Sequence, residues 1–239
     1  MKPTPSPPRL VPLLRGTAAG SLGPYDLEEI GISAAAVDIL ELALGLGLDR
    51  VQRLGDLHAL TGWTGPLLAV ARTSNDVPPA TGWRARALPR LVADRDGVLE
   101  LRSAIDGATV RLARAELAEA ARRMGAEPAA SLAADGVELV PWDEGHPPAN
   151  ALLVSSLAQD MASQALYWDG AGWAELRAPG GPQDTAPLID GCRCRACAIA
   201  SRVYLAHLST MREITAEHLL GWHNLHQLRL VVEGGSAAG

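Results

Sequence analysis

Three cysteines lie within a six-residue segment, at Cys192, Cys194 and Cys197, and the chain contains no other cysteine. An odd number of cysteines cannot be fully paired within one chain, so an internal disulfide framework is excluded. Zinc favours four tetrahedral ligands, and three thiolates this close together can surround one ion from a single tight turn. The cluster therefore predicts one structural zinc ion per chain, whose fourth ligand comes from elsewhere in the sequence.

Four histidines follow the cluster and are candidates for the fourth ligand: His207, His218, His223 and His226. All four fall in segments with a helical pattern, and the spacing alone does not choose among them. A complete set of three cysteines and one histidine leaves no open position for water, which favours a structural over a catalytic metal. Two alternatives remain at this stage, a cluster of small buried hydrophobic residues and a redox-active outer pair.

The composition is that of an ordinary globular protein, with 48% hydrophobic and 20% charged residues in 239. A net charge of −6 excludes a generally basic, nucleic-acid-binding surface, although residues 84–123 carry nine arginines against six acidic residues. No apolar run approaches the roughly 18 residues of a membrane span. The proline-rich start of the chain is unlike a signal peptide, so we expect a cytoplasmic protein.

The hydrophobic pattern predicts a mixture of helices and strands. It predicts a helix over residues 33–51, a buried strand after the turn at 62–66, and a hairpin around Asp106-Gly107. Further along it predicts a short amphipathic helix ending near Gly125, a helical segment over 149–167, a second hairpin in ALYWDGAGWAEL, and two helices over most of 198–232.

The segment GCRCRACAIASRVYLAHL, followed by WHNL, resembles the zinc-binding end of the tRNA-guanine transglycosylases, or queuine tRNA-ribosyltransferases. That family carries Cys-x-Cys-x-x-Cys, then Ser-Arg-x-Tyr-Leu-x-His-Leu, and then a His-Asn pair with the fourth zinc ligand. The resemblance implies that the metal ligands are Cys192, Cys194, Cys197 and His223.

Weaker similarities cover most of residues 50–235. VPWDEGHPPA resembles the family's strand end whose aspartate recognises the guanine-like base, which implies a base-binding role for Asp143; a turn or helix-cap carboxylate is the alternative. GWTGPLL resembles the approach to the first catalytic motif, but the positions of the family's Asp, Ser and Gly hold Val70, Ala71 and Arg72. An apolar side chain cannot act as a base, so this part of the family's chemistry is lost.

A second departure is a large gap. Fewer than twenty residues separate Asn150 from Tyr167, where the family has several strand–helix units and its nucleophilic aspartate. Asp160 is the carboxylate here that could replace the nucleophile; the alternative is a solvated surface residue.

A complete (β/α)8 barrel needs about 250 residues, which this chain does not have beside a zinc module. The resemblance therefore implies an α/β fold: an incomplete TIM-barrel-derived domain with a C-terminal zinc-binding helical subdomain. We expect a Pro-rich segment at 1–16, a shortened transglycosylase-like α/β domain at 17–187 and the zinc-binding subdomain at 188–239.

Retained metal residues and lost carboxylates predict a non-catalytic accessory or partner-binding subunit in queuosine-type tRNA modification. The alternatives are an active tRNA-guanine base-exchange enzyme, which would be a pentosyltransferase, and a diverged module that binds a 7-deazaguanine base or nucleic acid.

An apolar stripe in the last helical segment predicts a homodimer, or a heterodimer with a full-length transglycosylase through which tRNA is bound. Its residues are Leu219, Trp222, Leu225 and Leu228–Leu230. The stripe could instead pack inside the subdomain.

Overall fold

The computed structural model describes residues 8–14, 22–53, 55–73, 89–102, 107–133, 140–141, 149–176 and 185–234. The strands are β1 (Arg9–Leu14), β2 (Ala35–Asp38), β3 (Leu67–Val70), β4 (Arg90–Arg95), β5 (Val98–Arg102), β6 (Thr109–Ala113), β7 (Glu127–Pro128), β8 (Val140–Pro141), β9 (Leu152–Ser155), β10 (Leu166–Trp168) and β11 (Trp173–Glu175). The helices are α1 (Pro24–Ile30), α2 (Ile39–Gly45), α3 (Leu48–Arg53), α4 (Leu57–Thr61), α5 (Arg114–Arg123), α6 (Leu157–Ala162), α7 (Arg195–Ile199), α8 (Arg202–Thr210) and α9 (Ile214–Val232).

The chain divides into two compact units. Residues 11–19 and 33–140 form the first, called here the sheet unit, and residues 1–10, 20–32 and 141–239 form the second, called the C-terminal unit. The domain boundaries expected from the sequence stay predictions. Among the described residues, no helix is both long and apolar enough to cross a lipid bilayer.

Parallel strands in the order β7-β3-β2-β1 form the centre of the sheet unit. Every residue of β2 and β3 is buried, which is typical of parallel strands covered on both faces. The helix predicted over 33–51 is therefore wrong at its start, because the apolar run at Ala35–Val37 is a strand between β1 and β3. Asp38 then ends the strand and caps α2 by accepting hydrogen bonds from two backbone N–H groups.

Two other sequence expectations for the sheet unit are confirmed. Residues after the turn at 62–66 form the buried strand β3, and β5 pairs antiparallel with β6 as the hairpin pattern predicts. Strand β4 adds to this pair to give a three-stranded antiparallel sheet. The amphipathic helix α5 follows directly and ends before Gly125, whose φ of +83° is in the left-handed region that glycine adopts readily.

The C-terminal unit is built around the 19-residue helix α9. The helical segment predicted over 149–167 is wrong in part, since it divides into β9, α6 and the start of β10. The predicted second hairpin is confirmed as β10 paired with β11, in which Trp168 lies opposite Trp173. The two predicted late helices are confirmed as α8 and α9.

Helix α9 is buried on nearly all sides by α6, α7, α8 and β10. Leu219, Trp222, Leu225 and Leu228 of the apolar stripe are at most 5% exposed. The stripe is therefore core of the C-terminal unit, and the expectation that it faces a partner is wrong. Overall, the α/β class with a parallel sheet is confirmed, while descent from a TIM barrel remains a proposal.

Candidate metal centre

Four potential ligand atoms converge in the C-terminal unit. The sulfur atoms of Cys192, Cys194 and Cys197 and one ring nitrogen of His223 all lie within 4.8 Å of one another. His223 Nδ1 lies 3.9, 3.3 and 3.4 Å from the three sulfurs in chain order. Sulfur and nitrogen ligands of tetrahedral zinc are separated by about 3.5 Å, given bonds of about 2.3 and 2.0 Å. The donor set therefore fits one zinc ion.

The cysteine segment folds as a tight knuckle for local reasons. Gly191 has a φ of +77°, in the left-handed region, and the Cys192 N–H donates to the Ile189 carbonyl at 3.2 Å to close the turn. Cys194 caps the N-terminus of α7, because its Sγ accepts a hydrogen bond from the Cys197 N–H at 3.3 Å. The turn and the helix start together direct three sulfurs toward one point.

His223 is fully buried in α9, and a hydrogen bond on the side of the ring away from the sulfurs fixes its orientation. Its Nε2 lies 2.9 Å from the Trp168 carbonyl oxygen, so the Nε2–H donates to that oxygen and Nδ1 faces the sulfurs. Metal-bound histidines commonly donate their second ring N–H to such an acceptor, which fixes the tautomer and the ring plane. The arrangement is thus that of a histidine prepared to bind through Nδ1.

Asn224, the residue after His223, also holds the backbone at Trp168. Its Oδ1 accepts from the Trp168 N–H at 2.9 Å, and its Nδ2 donates to the carbonyl oxygens of Ala158 at 3.1 Å and Leu166 at 3.0 Å. The amide is fully buried and joins α9 to α6 and β10. The His-Asn pair therefore holds both backbone groups of Trp168. This connects the four candidate ligands, called here the metal cluster, to the β10–β11 hairpin.

Without metal, the cluster holds protons that an ion would replace. Burial opposes a charge on His223, but hydrogen bonds with Cys192 and Cys197 outweigh it and raise the pKa of His223 to about 9. Hydrogen bonds from the Cys194 and Cys197 thiols lower the pKa of Cys192. Zinc binds thiolates and neutral imidazole, so its binding releases protons and weakens as the pH falls.

The other three candidate histidines lie outside the cluster. His207 is exposed on α8, and His218 Nε2 lies 3.7 Å from an Asp26 carboxylate oxygen. His226 stacks on Trp222 with ring centroids 5.5 Å apart. The structure thus brings to the cysteines the histidine that the family resemblance selects.

The residues considered for catalysis or base binding from the sequence are Val70, Asp160 and Asp143, and the structure describes the first two. Val70 ends β3, is 5% exposed, and lies beside Asp38 in the register of β2 and β3. Asp160 is buried, not solvated, and its carboxylate accepts a hydrogen bond from the Ser156 hydroxyl at 2.6 Å. Asp143, the candidate base-binding residue, lies outside the described residues.

Asp38 is a buried carboxylate that the sequence analysis missed. One oxygen accepts from the N–H groups of Leu40 at 3.0 Å and Glu41 at 3.3 Å, and the other accepts from Arg72 Nε at 3.2 Å. An aspartate between an apolar run and a helical pattern is a helix N-cap signal that could have identified it. Asp38 is engaged on both oxygens, so it serves the structure next to Val70 instead of facing a substrate as a free base.

We expect Arg72→Met to destabilise the chain by about 3 kcal/mol at pH 7, because it leaves the Asp38 charge buried without its partner. Burial raises the pKa of Asp38 and Arg72 opposes this, so the pKa rises further in the variant. The folded state then binds a proton more readily than the unfolded state, and the deficit shrinks as the pH falls toward that raised pKa. Urea unfolding at pH 7 and pH 5 measures both effects.

Arg111→Met is the matched control, because the Arg111–Glu100 ion pair at 2.9 Å is exposed on the antiparallel sheet, with Arg111 itself 73% exposed. We expect a cost below about 1 kcal/mol for it. Equal losses in the two variants, or a deficit of Arg72→Met that is independent of pH, would contradict the structural role given to Asp38.

Comparison with known proteins finds similarity to one family, and the family model falls within the C-terminal unit. The sequence model of the queuine tRNA-ribosyltransferase family matches residues 152–234. The queuine tRNA-ribosyltransferase of Cereibacter sphaeroides is 37% identical over 67 residues, which are 28% of this chain and 18% of that protein. That of Ruegeria pomeroyi is 43% identical over 51 residues, 21% of this chain and 14% of the relative.

A protein of Anopheles gambiae described as queuine tRNA-ribosyltransferase accessory subunit 2 is 43% identical over 73 residues, 30% of this chain and 15% of that protein. The alignments thus span less than a fifth of the length of these relatives. The metal cluster lies inside the segment that the family model matches. Residues 152–234 are therefore related to the queuine tRNA-ribosyltransferases, which confirms the resemblance that the sequence itself carries.

Proposed function

We propose that this chain is a non-catalytic relative of the tRNA-guanine transglycosylases, which binds one structural zinc ion and acts in the cytoplasm as an accessory or partner-binding subunit in queuosine-type tRNA modification. One observation carries the proposal: the four candidate ligands are together within the segment that the family model matches. The sequence resemblance implies that the position of the family's first catalytic carboxylate is Val70, which is buried and has no ionisable group. The chain thus has the candidate zinc ligands of the family but lacks the carboxylate that the family uses in catalysis.

Zinc is held in this proposal by Cys192, Cys194, Cys197 and His223. The cluster has the ligand types and spacing of a closed Cys3His site. Such a site has no position for water or substrate, so the ion stabilises the fold of the C-terminal unit and takes no part in a reaction. The His223 ring held by Trp168 and the sulfur of Cys194 at the helix start both support this structural role.

Loss of catalysis follows from the missing carboxylates. Base exchange in the family proceeds by attack of an aspartate on the ribose and a covalent intermediate, which is nucleophilic catalysis. Val70 has no ionisable group, Asp38 is tied to Arg72, and Asp160 accepts a hydrogen bond from Ser156 within its own helical turn. None of these three positions offers an unengaged carboxylate.

A partner is proposed because apolar side chains remain exposed on the last three helices and the turn between α8 and α9. Ile199, Tyr204, Met211 and Ile214 are 64, 51, 60 and 73% exposed and lie on α7, on α8, in the turn after α8 and at the start of α9. Exposed apolar surface of this kind is commonly covered by another protein. The relationship to a protein described as an accessory subunit favours a full-length transglycosylase as the partner. A homodimer is the second candidate, and tRNA is reached through the partner.

The exchange assay tests the non-catalytic claim. We expect the zinc-loaded chain alone to incorporate no labelled guanine into tRNA, with a full-length transglycosylase as the positive control. Val70→Asp is expected to stay inactive, because it places a second buried carboxylate on the strand beside Asp38 and restores no nucleophile. Val70→Asn is the uncharged control of similar size. Exchange by the wild-type chain that disappears in Asp160→Ala or Asp143→Ala would favour the active-enzyme alternative.

A further inference from the structure

One polar side chain beside the metal cluster is used neither by the ligand set nor by the family motif. Gln227 lies four residues after His223 on α9, so the two side chains share one face of the helix. It is fully buried, and its Nε2 lies 3.1 Å from the sulfur of Cys192.

We infer that Gln227 is a positioning residue for the metal, which holds Cys192 as a thiolate ligand by donating an N–H···S hydrogen bond. The inference rests on the proposed zinc site. Three thiolates around one divalent ion leave a net negative charge in a buried place, and donors to the sulfurs spread that charge. Cys194 receives such a bond from the Cys197 backbone N–H, and the Gln227 amide supplies the corresponding bond to Cys192.

The burial of Gln227 supports a functional reason for the amide. Its Oε1 is buried, and no hydrogen-bond partner for it is found among the described residues. A buried carbonyl without a partner is unfavourable, so an apolar side chain of similar size would suit this part of the core better if packing were the only requirement. A thiolate is purely a hydrogen-bond acceptor, so the amide N–H is the group that can face it. The sulfur of Cys192 thus accounts for a glutamine at this position.

Cys192 needs such a contact more than the other two cysteines do. Cys194 is fully buried, and Cys197, although partly buried like Cys192, is held within α7. Cys192 is partly buried and precedes the helix. Ligands held by outer hydrogen bonds commonly lose about 10- to 100-fold in metal affinity when those bonds are removed. Loss of the Gln227 bond should therefore loosen the Cys192 sulfur first.

The test uses the full chain loaded with zinc and the variant Gln227→Leu, which keeps the bulk and removes the donor. We expect zinc transfer to a chromogenic chelator to be at least about tenfold faster than in the wild type. Alkylation of the loaded protein, mapped by mass spectrometry, should increase selectively at Cys192. The matched control is Gln159→Leu, a second buried glutamine in the same unit, on α6. It should leave both measurements unchanged.

A measurement on the wild type keeps the inference testable even where Gln227→Leu fails to fold. In protein loaded with an NMR-active cadmium isotope, the Gln227 side-chain amide protons should show a scalar coupling to the metal across the hydrogen bond. Absence of that coupling, equal zinc release by the Gln227 and Gln159 variants, or alkylation increased equally at all three cysteines would each overturn the inference. A wild-type chain that binds no zinc would overturn both the proposed zinc site and the role of Gln227. A wild-type chain that binds zinc but shows one of the three results above would overturn only the role of Gln227.

Discussion

The variant Cys194→Ser is expected to lose its zinc and the fold of the C-terminal unit together. Structural zinc contributes about 10–16 kcal/mol in small zinc-dependent folds at neutral pH, and whole domains are stable by only about 5–15 kcal/mol. Cys194 is fully buried, and it also caps α7 through its sulfur. Elemental analysis of protein purified without chelator gives the metal content, and circular dichroism with limited proteolysis gives the state of the unit.

The histidine variants provide the matched comparison. His223→Ala should lose zinc as Cys194→Ser does, whereas His207→Ala and His226→Ala should retain about one ion per chain, because neither side chain belongs to the cluster. Wild-type protein without zinc would refute the metal site. Equal zinc loss in the three histidine variants would instead refute the assignment of the fourth ligand to His223.

Asn224→Leu is expected to destabilise the zinc-loaded protein by about 3 kcal/mol or more. The variant leaves the Trp168 N–H and the carbonyl oxygens of Ala158 and Leu166 without their present partner, and each unsatisfied buried group costs about 1–3 kcal/mol. Urea unfolding of the loaded protein measures the loss, with zinc content checked at each step.

Gln164→Leu is the control for Asn224→Leu, since Gln164 lies in the same unit but donates one bond, to the Asp160 carbonyl at 3.2 Å, and is only partly buried. Its expected cost is below about 1.5 kcal/mol. An Asn224→Leu variant no less stable than Gln164→Leu would show that the amide does not join α9 to α6 and β10 as described.

The metal cluster could be predicted because its chemistry is local in the sequence. Three of its side chains fall within six residues, and both hairpins and the last two helices follow from alternation and helical spacing. His223 could not be chosen by spacing, because the fold of α8 and α9 decides which of four histidines returns to the cysteines. Knowledge of the family supplied that choice, and the geometry agrees with it.

What the sequence did not reveal depends on long-range packing. The run at Ala35–Val37 matches a helix and a buried strand equally well, and only its position between two other strands makes it β2. The stripe on α9 looked like an interface because its burial against α6, α7 and α8 has no sequence signature. The cap that Asp38 forms on α2 is indicated by the local pattern, but its ion pair with Arg72, 34 residues away, is not. The contact of Gln227 with Cys192, 35 residues away, is likewise not indicated by local spacing.

Sedimentation velocity of the zinc-loaded chain mixed with a full-length transglycosylase, at micromolar concentration, tests the proposed accessory role. We expect a complex that sediments faster than either protein alone and that is weakened by Ile214→Ser at the exposed start of α9. Val92→Ser, an exposed apolar position in the sheet unit at 54%, should not weaken it. A chain that sediments as a stable monomer and ignores the added transglycosylase would contradict the proposed accessory role.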